Sequence, residues 1–114
     1  MLTIYHNPRC SKSRAALALL EERGESPRVI EYLKTPPDAK ELKAILKALG
    51  KAPRELIRKG EAVYKDLGLA DPALTDAALI EAMVENPILI ERPIVVNGEK
   101  AALGRPPEAV LEIL

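Results

Sequence analysis

The chain has 114 residues, with 17 basic against 17 acidic side chains, three Tyr, no Trp or Phe, one His and one Cys. That length holds one core rather than two, and aliphatic side chains must fill it; the zero formal charge lacks the basic excess of a general nucleic-acid or membrane-surface binder. One cysteine and one histidine exclude an intramolecular disulfide and a Cys/His zinc cluster, so no bound metal is expected.

In chain order, Leu2 to Tyr5 reads as a strand, Asn7-Pro8 as a turn, and Ser11 to Arg23 as an alanine-rich helix stopped by Gly24. Arg28 to Leu33 reads as a second strand, so the two strands are expected parallel with a right-handed crossover. Thr35-Pro36-Pro37 breaks the chain. Asp38, with Glu41 three residues later, then caps a helix carrying Leu42, Ile45, Leu46 and Leu49, closed by Gly50. Short helices are predicted from Pro53 through Arg58 and from Glu61 to Leu67, and Thr75 caps another that ends at Asn86-Pro87. Residues 38 to 86 thus read as a helical insert within one domain spanning 1 to 114.

Sheet signals resume at Ile94-Val95-Val96. Asn97-Gly98 is expected at the centre of a type I′ hairpin turn, before a strand from Glu99 to Leu103. Gly104-Arg105-Pro106-Pro107 turns the chain into a C-terminal helix with Val110, Leu111 and Leu114. The order βαβ, helical insert, ββα predicts an α/β fold with a thioredoxin-like core and a mixed four-stranded sheet. No apolar run approaches the roughly 20 residues that span a bilayer, and nothing resembles a signal peptide. A cytoplasmic chain is expected, with a monomer as the default state.

Cys10 falls between a strand's carboxyl end and a helix's first turn. Unpaired N–H groups and the helix dipole favour an anion there, which lowers a thiol's pKa. His6, Arg9, Lys12 and Arg14 add positive charge or donors, and no carboxylate appears before Glu21. A lone cysteine is more often a small buried hydrophobe, but a polar, basic, Pro-broken loop is a poor place to bury one. Because the chain has no second thiol, a Cys10 that becomes oxidised or attached to a substrate must be released by an external one.

Arg58, Arg92 and Arg105 each lie at an element boundary, and the last two precede proline. A guanidinium can hold a tetrahedral oxyanion through two hydrogen bonds and keeps its charge at any working pH. Singly, each also reads as an ordinary surface arginine; only the fold can bring them together. In a thioredoxin-like architecture the loop before the third strand carries a cis proline facing the cysteine, which assigns that geometry to Pro93.

The segments His6-Asn7-Pro8-x-Cys10-x-x-Ser13-Arg14, Leu56-Ile57-Arg58-Lys59, Tyr64-Lys65-Asp66-Leu67-Gly68-Leu69, Asn86-Pro87-Ile88-Leu89-Ile90-x-Arg92-Pro93-Ile94-Val95-Val96 and Arg105-Pro106 together resemble the glutaredoxin-linked arsenate reductase family, in register over essentially the whole chain. The resemblance implies Cys10 as nucleophile, with His6 favouring its thiolate. Arg58, Arg92 and Arg105 would bind arsenate and its intermediates, and Ser13 and Arg14 match the family's loop as further substrate contacts. It also implies arsenate, or another small oxyanion, as substrate, glutathione as co-substrate rather than a bound cofactor, and glutaredoxin as the partner that completes reduction. Arg9 and Lys12 stand where those reductases carry small or neutral residues; here the chain is more similar to a short subgroup with the loop Asn-Pro-Arg-Cys-Ser-Lys-Ser-Arg.

Two alternatives stay open on sequence. Cys10-x-x-Ser13 also permits monothiol glutaredoxin-like chemistry on glutathione mixed disulfides, although the arginines exceed what a glutathione carboxylate requires. A regulator of the Spx type, which contacts RNA polymerase, shares the expected fold, but Ser13 stands where such regulators commonly carry a second cysteine.

Overall fold

The computed structural model describes residues 2–114, which form two compact units: Thr35 and the residues before it together with Arg92–Leu114, and Pro36–Glu91. The first unit contains strand β1 (Leu2–His6), helix α1 (Ser11–Glu22), β2 (Arg28–Glu31), β3 (Ile94–Asn97), β4 (Lys100–Leu103) and a 3₁₀ segment at Pro107–Ile113. Its four strands lie in the order β2-β1-β3-β4. β1 is parallel to β2 and antiparallel to β3, and β3 is antiparallel to β4. This is the mixed α/β, thioredoxin-like sheet that the element order predicts.

Alternation along β1 sends Leu2 and Ile4 to one face. There they join Val95 of β3, Ala16 and Leu20 of α1, and Val110 and Ile113 of the C-terminal segment in one buried cluster. Ile4, Ala16, Leu20, Val95 and Val110 have no exposed surface, and full burial of an aliphatic side chain such as Leu20 stabilises the fold by about 1.5–3 kcal/mol. That packing anchors α1 on β1, which fixes the loop joining them at the strand's carboxyl end.

Three local expectations need correction. β2 stops at Glu31 rather than Leu33, because β2 is the edge strand and β1, its ladder partner among the described residues, ends at His6 opposite Glu31. Beyond that pair the chain turns, with Lys34 and Thr35 N–H groups donating to the Glu31 carbonyl at 2.9 and 3.0 Å. The β3–β4 hairpin pairs Asn97 with Lys100, so the central turn residues are Gly98 and Glu99 rather than Asn97 and Gly98. Gly98 has φ +63° and, among the described residues, no non-glycine residue has positive φ, the pattern of a type II′ turn instead of I′. Asn97 stays in the strand and donates from Nδ2 to the Ile113 carbonyl at 2.6 Å. The C-terminal helix is 3₁₀, and Val110 and Ile113 are buried at the three-residue spacing that a 3₁₀ turn eclipses.

The second unit holds α2 (Ala39–Leu49), α3 (Pro53–Leu56), α4 (Ala62–Asp66), α5 (Asp76–Glu85) and a 3₁₀ turn at Pro87–Leu89. The caps predicted for α2 and α5 form. Asp38 Oδ1 accepts from the Glu41 N–H at 2.8 Å, and Thr75 Oγ1 from the Ala78 N–H at 3.2 Å. Both α2 and α3 pack on α5, burying Leu42, Leu56, Leu79 and Met83. An Ile57–Ile90 bridge joins the residue after α3 to the end of the unit, flanked by Arg58 N–H to Leu89 carbonyl (2.7 Å) and Glu91 N–H to Leu56 carbonyl (3.0 Å). Among the described residues no helix is long and apolar enough to cross a membrane.

Candidate active site

Cys10 is the N-cap residue of α1, with extended backbone at φ −93° and ψ 122°. Its N–H donates to the Asn7 carbonyl at 3.0 Å, and its own carbonyl accepts from Arg14 at 3.0 Å, so the turn hands the chain directly into the helix. The thiol is half-buried and takes part in no disulfide. It closes no conventional cap bond, yet the first-turn N–H groups are placed to stabilise a charge on sulfur.

The loop is fastened from behind. Ser13, fully buried on α1, takes the Asn7 N–H on its Oγ at 3.0 Å, and the same oxygen lies 2.6 Å from His6 Nδ1. Asn7 Oδ1 accepts from the Arg9 N–H at 3.0 Å, an Asx-type turn that tightens the bend. Arg14 NH1 donates to the Pro8 carbonyl at 2.9 Å. Ser13 and Arg14 therefore brace the loop with the very groups that the sequence nominates for substrate.

Two of the three nominated arginines reach the sulfur. Arg92 acts on the Cys10 thiol through its side chain and its charge, both of which favour the thiolate. Arg105 places NH2 3.9 Å from Sγ while its Nε–H donates to the Arg92 carbonyl at 2.9 Å. Both the Arg92-Pro93 bond and the Arg105-Pro106 bond are cis; the first is expected from sequence, whereas nothing in the sequence singles out the second. Desolvation pushes the Cys10 thiol up, but it is outweighed by the Ser13 N–H, the Arg92 side chain, the Lys12 N–H and the Arg92 charge. The thiol is held below its ordinary value.

His6 enters differently from its sequence reading. Burial lowers its pKa, opposed by the Glu31 carboxylate and assisted by the Arg14 charge, so the imidazole is neutral at pH 7. It lends the thiolate no full positive charge. Its structural link to the loop is the Ser13 hydroxyl, which can donate to Nδ1 while accepting from Asn7.

Arg58 belongs to the helical unit, where its Nε meets Glu61 Oε2 at 3.2 Å and NH1 meets Glu91 Oε1 at 2.8 Å. Glu91, 33 residues away, is a partner that sequence reasoning misses. Arg9 and Lys12, the loop's additional cations, are exposed. Beside the loop a cleft of about 210 Å³ opens between His6–Arg9 and Glu31, Leu33 and Lys34, residues absent from the sequence-based site.

A half-exposed thiolate with two guanidinium groups on it can attack an electrophilic tetrahedral centre while the cations hold that centre's oxygens. The ArsC family model matches residues 5–113. Among curated proteins the chain is 60% identical over 112 residues to the uncharacterised protein YfgD of Escherichia coli, covering 97% of this chain and 94% of that protein. It is 53% identical over 114 residues to an arsenate reductase of Neisseria meningitidis, covering 99% and 97%. Among solved structures, an arsenate reductase from Vibrio cholerae superposes with a TM-score of 0.97 at 55% identity, covering 99% and 97%.

Proposed function

The chain belongs to the ArsC family, and from that premise we propose that it reduces arsenate to arsenite, with Cys10 as nucleophile and glutathione and glutaredoxin as reductants. The observation that carries the reading is the Cys10 sulfur at the start of α1 with Arg105 NH2 3.9 Å from it, where Arg92 joins in holding the thiol below its ordinary pKa.

The Cys10 thiolate attacks arsenic(V), forming an S–As bond as one arsenate oxygen leaves as water after protonation. Arg92 and Arg105, released from the sulfur as its charge passes to the arsenate oxygens, hold those oxygens through charge-assisted hydrogen bonds. Arg58 would join them once its Glu61 and Glu91 pairs yield to the anion.

Glutathione then displaces a second arsenic-bound oxygen as water, and the glutaredoxin thiol attacks the glutathione sulfur, leaving the As–S bonding electrons on arsenic, now arsenic(III), and forming a mixed disulfide between glutathione and glutaredoxin. One water hydrolyses the remaining Cys10–As bond, which releases arsenite and restores Cys10. Two thiols lose two electrons and arsenic gains them, with one water formed overall. The single cysteine of the chain makes the external thiols necessary, and a cytoplasmic glutathione pool would supply them.

The test is arsenate turnover with glutathione and glutaredoxin, omitting each in turn. Turnover is expected to need both and to vanish in Cys10→Ala. Steady turnover in Cys10→Ala, or none in the wild type with both thiols present, would refute the reading.

A further inference from the structure

Of the six glycines, four have φ between +63° and +80°, the left-handed region in which a side chain is disfavoured. A fifth, Gly60, has open space where a Cβ would stand. Gly104 is different: it is buried, has no left-handed φ, and a Cβ there would lie 2.5 Å from Pro93 Cγ, 3.1 Å from Pro93 Cδ and 3.3 Å from Ala16 Cβ. Its glycine is dictated by what packs against it.

We infer that Gly104 is a positioning residue for the Cys10 site: the absence of a side chain lets the residues after β4 close on Pro93, which sets Arg92 and Arg105 against the sulfur. For its catalytic consequence the inference rests on the arsenate reading above. For the placement of the two arginines it stands on geometry alone.

Pro93 Cγ and Cδ are ring atoms tied to the main chain, so they cannot swing aside as a flexible side-chain end does. The Pro93 nitrogen is bonded to Arg92, and the Pro93 carbonyl accepts from the Gly104 N–H at 2.9 Å. One residue on, Arg105 Nε–H donates to the Arg92 carbonyl at 2.9 Å and NH2 reaches toward Cys10 Sγ. A methyl at 104 must push this pair of stretches apart or press on Ala16 of α1, the helix whose N-cap is Cys10. Misplacement of about 1 Å at such a site can lower a rate by about 100-fold.

The test is Gly104→Ala, with thermal melting to establish folding and the pH dependence of Cys10 alkylation by iodoacetamide as readout. A folded variant is expected to show the alkylation midpoint moved up toward that of an ordinary thiol and arsenate kcat/KM lowered by about 100-fold, with Gly60→Ala at wild-type values. A folded Gly104→Ala with the wild-type alkylation profile overturns the inference.

Should Gly104→Ala not fold, Gly104→Ala/Ala16→Gly removes the neighbouring methyl on α1. If that double variant folds, the same midpoint shift supports the inference and a wild-type profile overturns it. Failure of both variants to fold also overturns it, because the glycine then serves the fold and not the site. Alkylation needs no arsenate, so a wild type that fails to turn arsenate over sinks the proposed function and leaves this measurement intact.

Discussion

Arg105 NH2 lies 3.9 Å from Cys10 Sγ although 95 residues separate the two in the chain. The guanidinium is held there by its Nε–H, which donates to the Arg92 carbonyl at 2.9 Å. Lysine keeps the charge but cannot make both contacts from one rigid fork. Arg105→Lys is therefore expected to lower arsenate kcat/KM by about 10–100-fold, the equivalent of one charge-assisted hydrogen bond. Steady-state kinetics check this, and wild-type values would show that charge alone suffices.

Arg92 acts on the sulfur through its side chain as well as through charge. Arg92→Gln removes the charge, and the thiolate loses one of the groups that offset its desolvation. The pH midpoint of Cys10 alkylation should rise in this variant relative to wild type, while Lys12→Gln, which keeps the Lys12 N–H, should move it less. Equal midpoints for wild type and Arg92→Gln would remove Arg92 from the set that stabilises the thiolate.

The buried His6 has a folded pKa below its ordinary value, mainly because burial disfavours the charged ring. As pH falls below about 6.5 the unfolded chain takes up a proton that the native chain resists. The stability His6 contributes is thus complete above that value and is lost as pH falls through the folded pKa. Urea unfolding from pH 7 downward should show a steeper loss in the wild type than in His6→Gln. A His6→Gln profile parallel to wild type would contradict this.

Arg58 pairs with Glu61 and Glu91, and all three side chains are only about a quarter exposed. Arg58→Ala leaves two carboxylates together without their cation, so a loss of about 1 kcal/mol, or about 4 °C in Tm, is expected even without any anion. Glu91→Gln frees NH1 of Arg58 while keeping a polar partner and should cost less. Calorimetry on the two variants measures both.

Features set by neighbouring residues were legible in the sequence. The strand–turn–helix around Cys10, the Asp38 and Thr75 caps, and the βαβ and ββα blocks all follow from short-range patterns. The resemblance added what spacing could not, that Arg92 and Arg105 meet at Cys10 across a long stretch of chain. What the sequence left out is what a distant partner decides. β2 ends where β1 runs out, Asn97 is held in β3 by its pairing with Lys100 and by the Ile113 carbonyl, and Arg58 is engaged by a carboxylate 33 residues on. For His6 the sequence leaves charge and hydrogen bonding both open, because it does not show burial, and burial is what lowers its pKa.

The most direct test of the Cys10 site is the pH dependence of its alkylation by iodoacetamide, measured on the wild-type protein with and without arsenate. The account predicts a midpoint clearly below the ordinary thiol value of about 8.5, together with slower alkylation when arsenate occupies the arginines. A midpoint at the ordinary value and a rate indifferent to arsenate would contradict it.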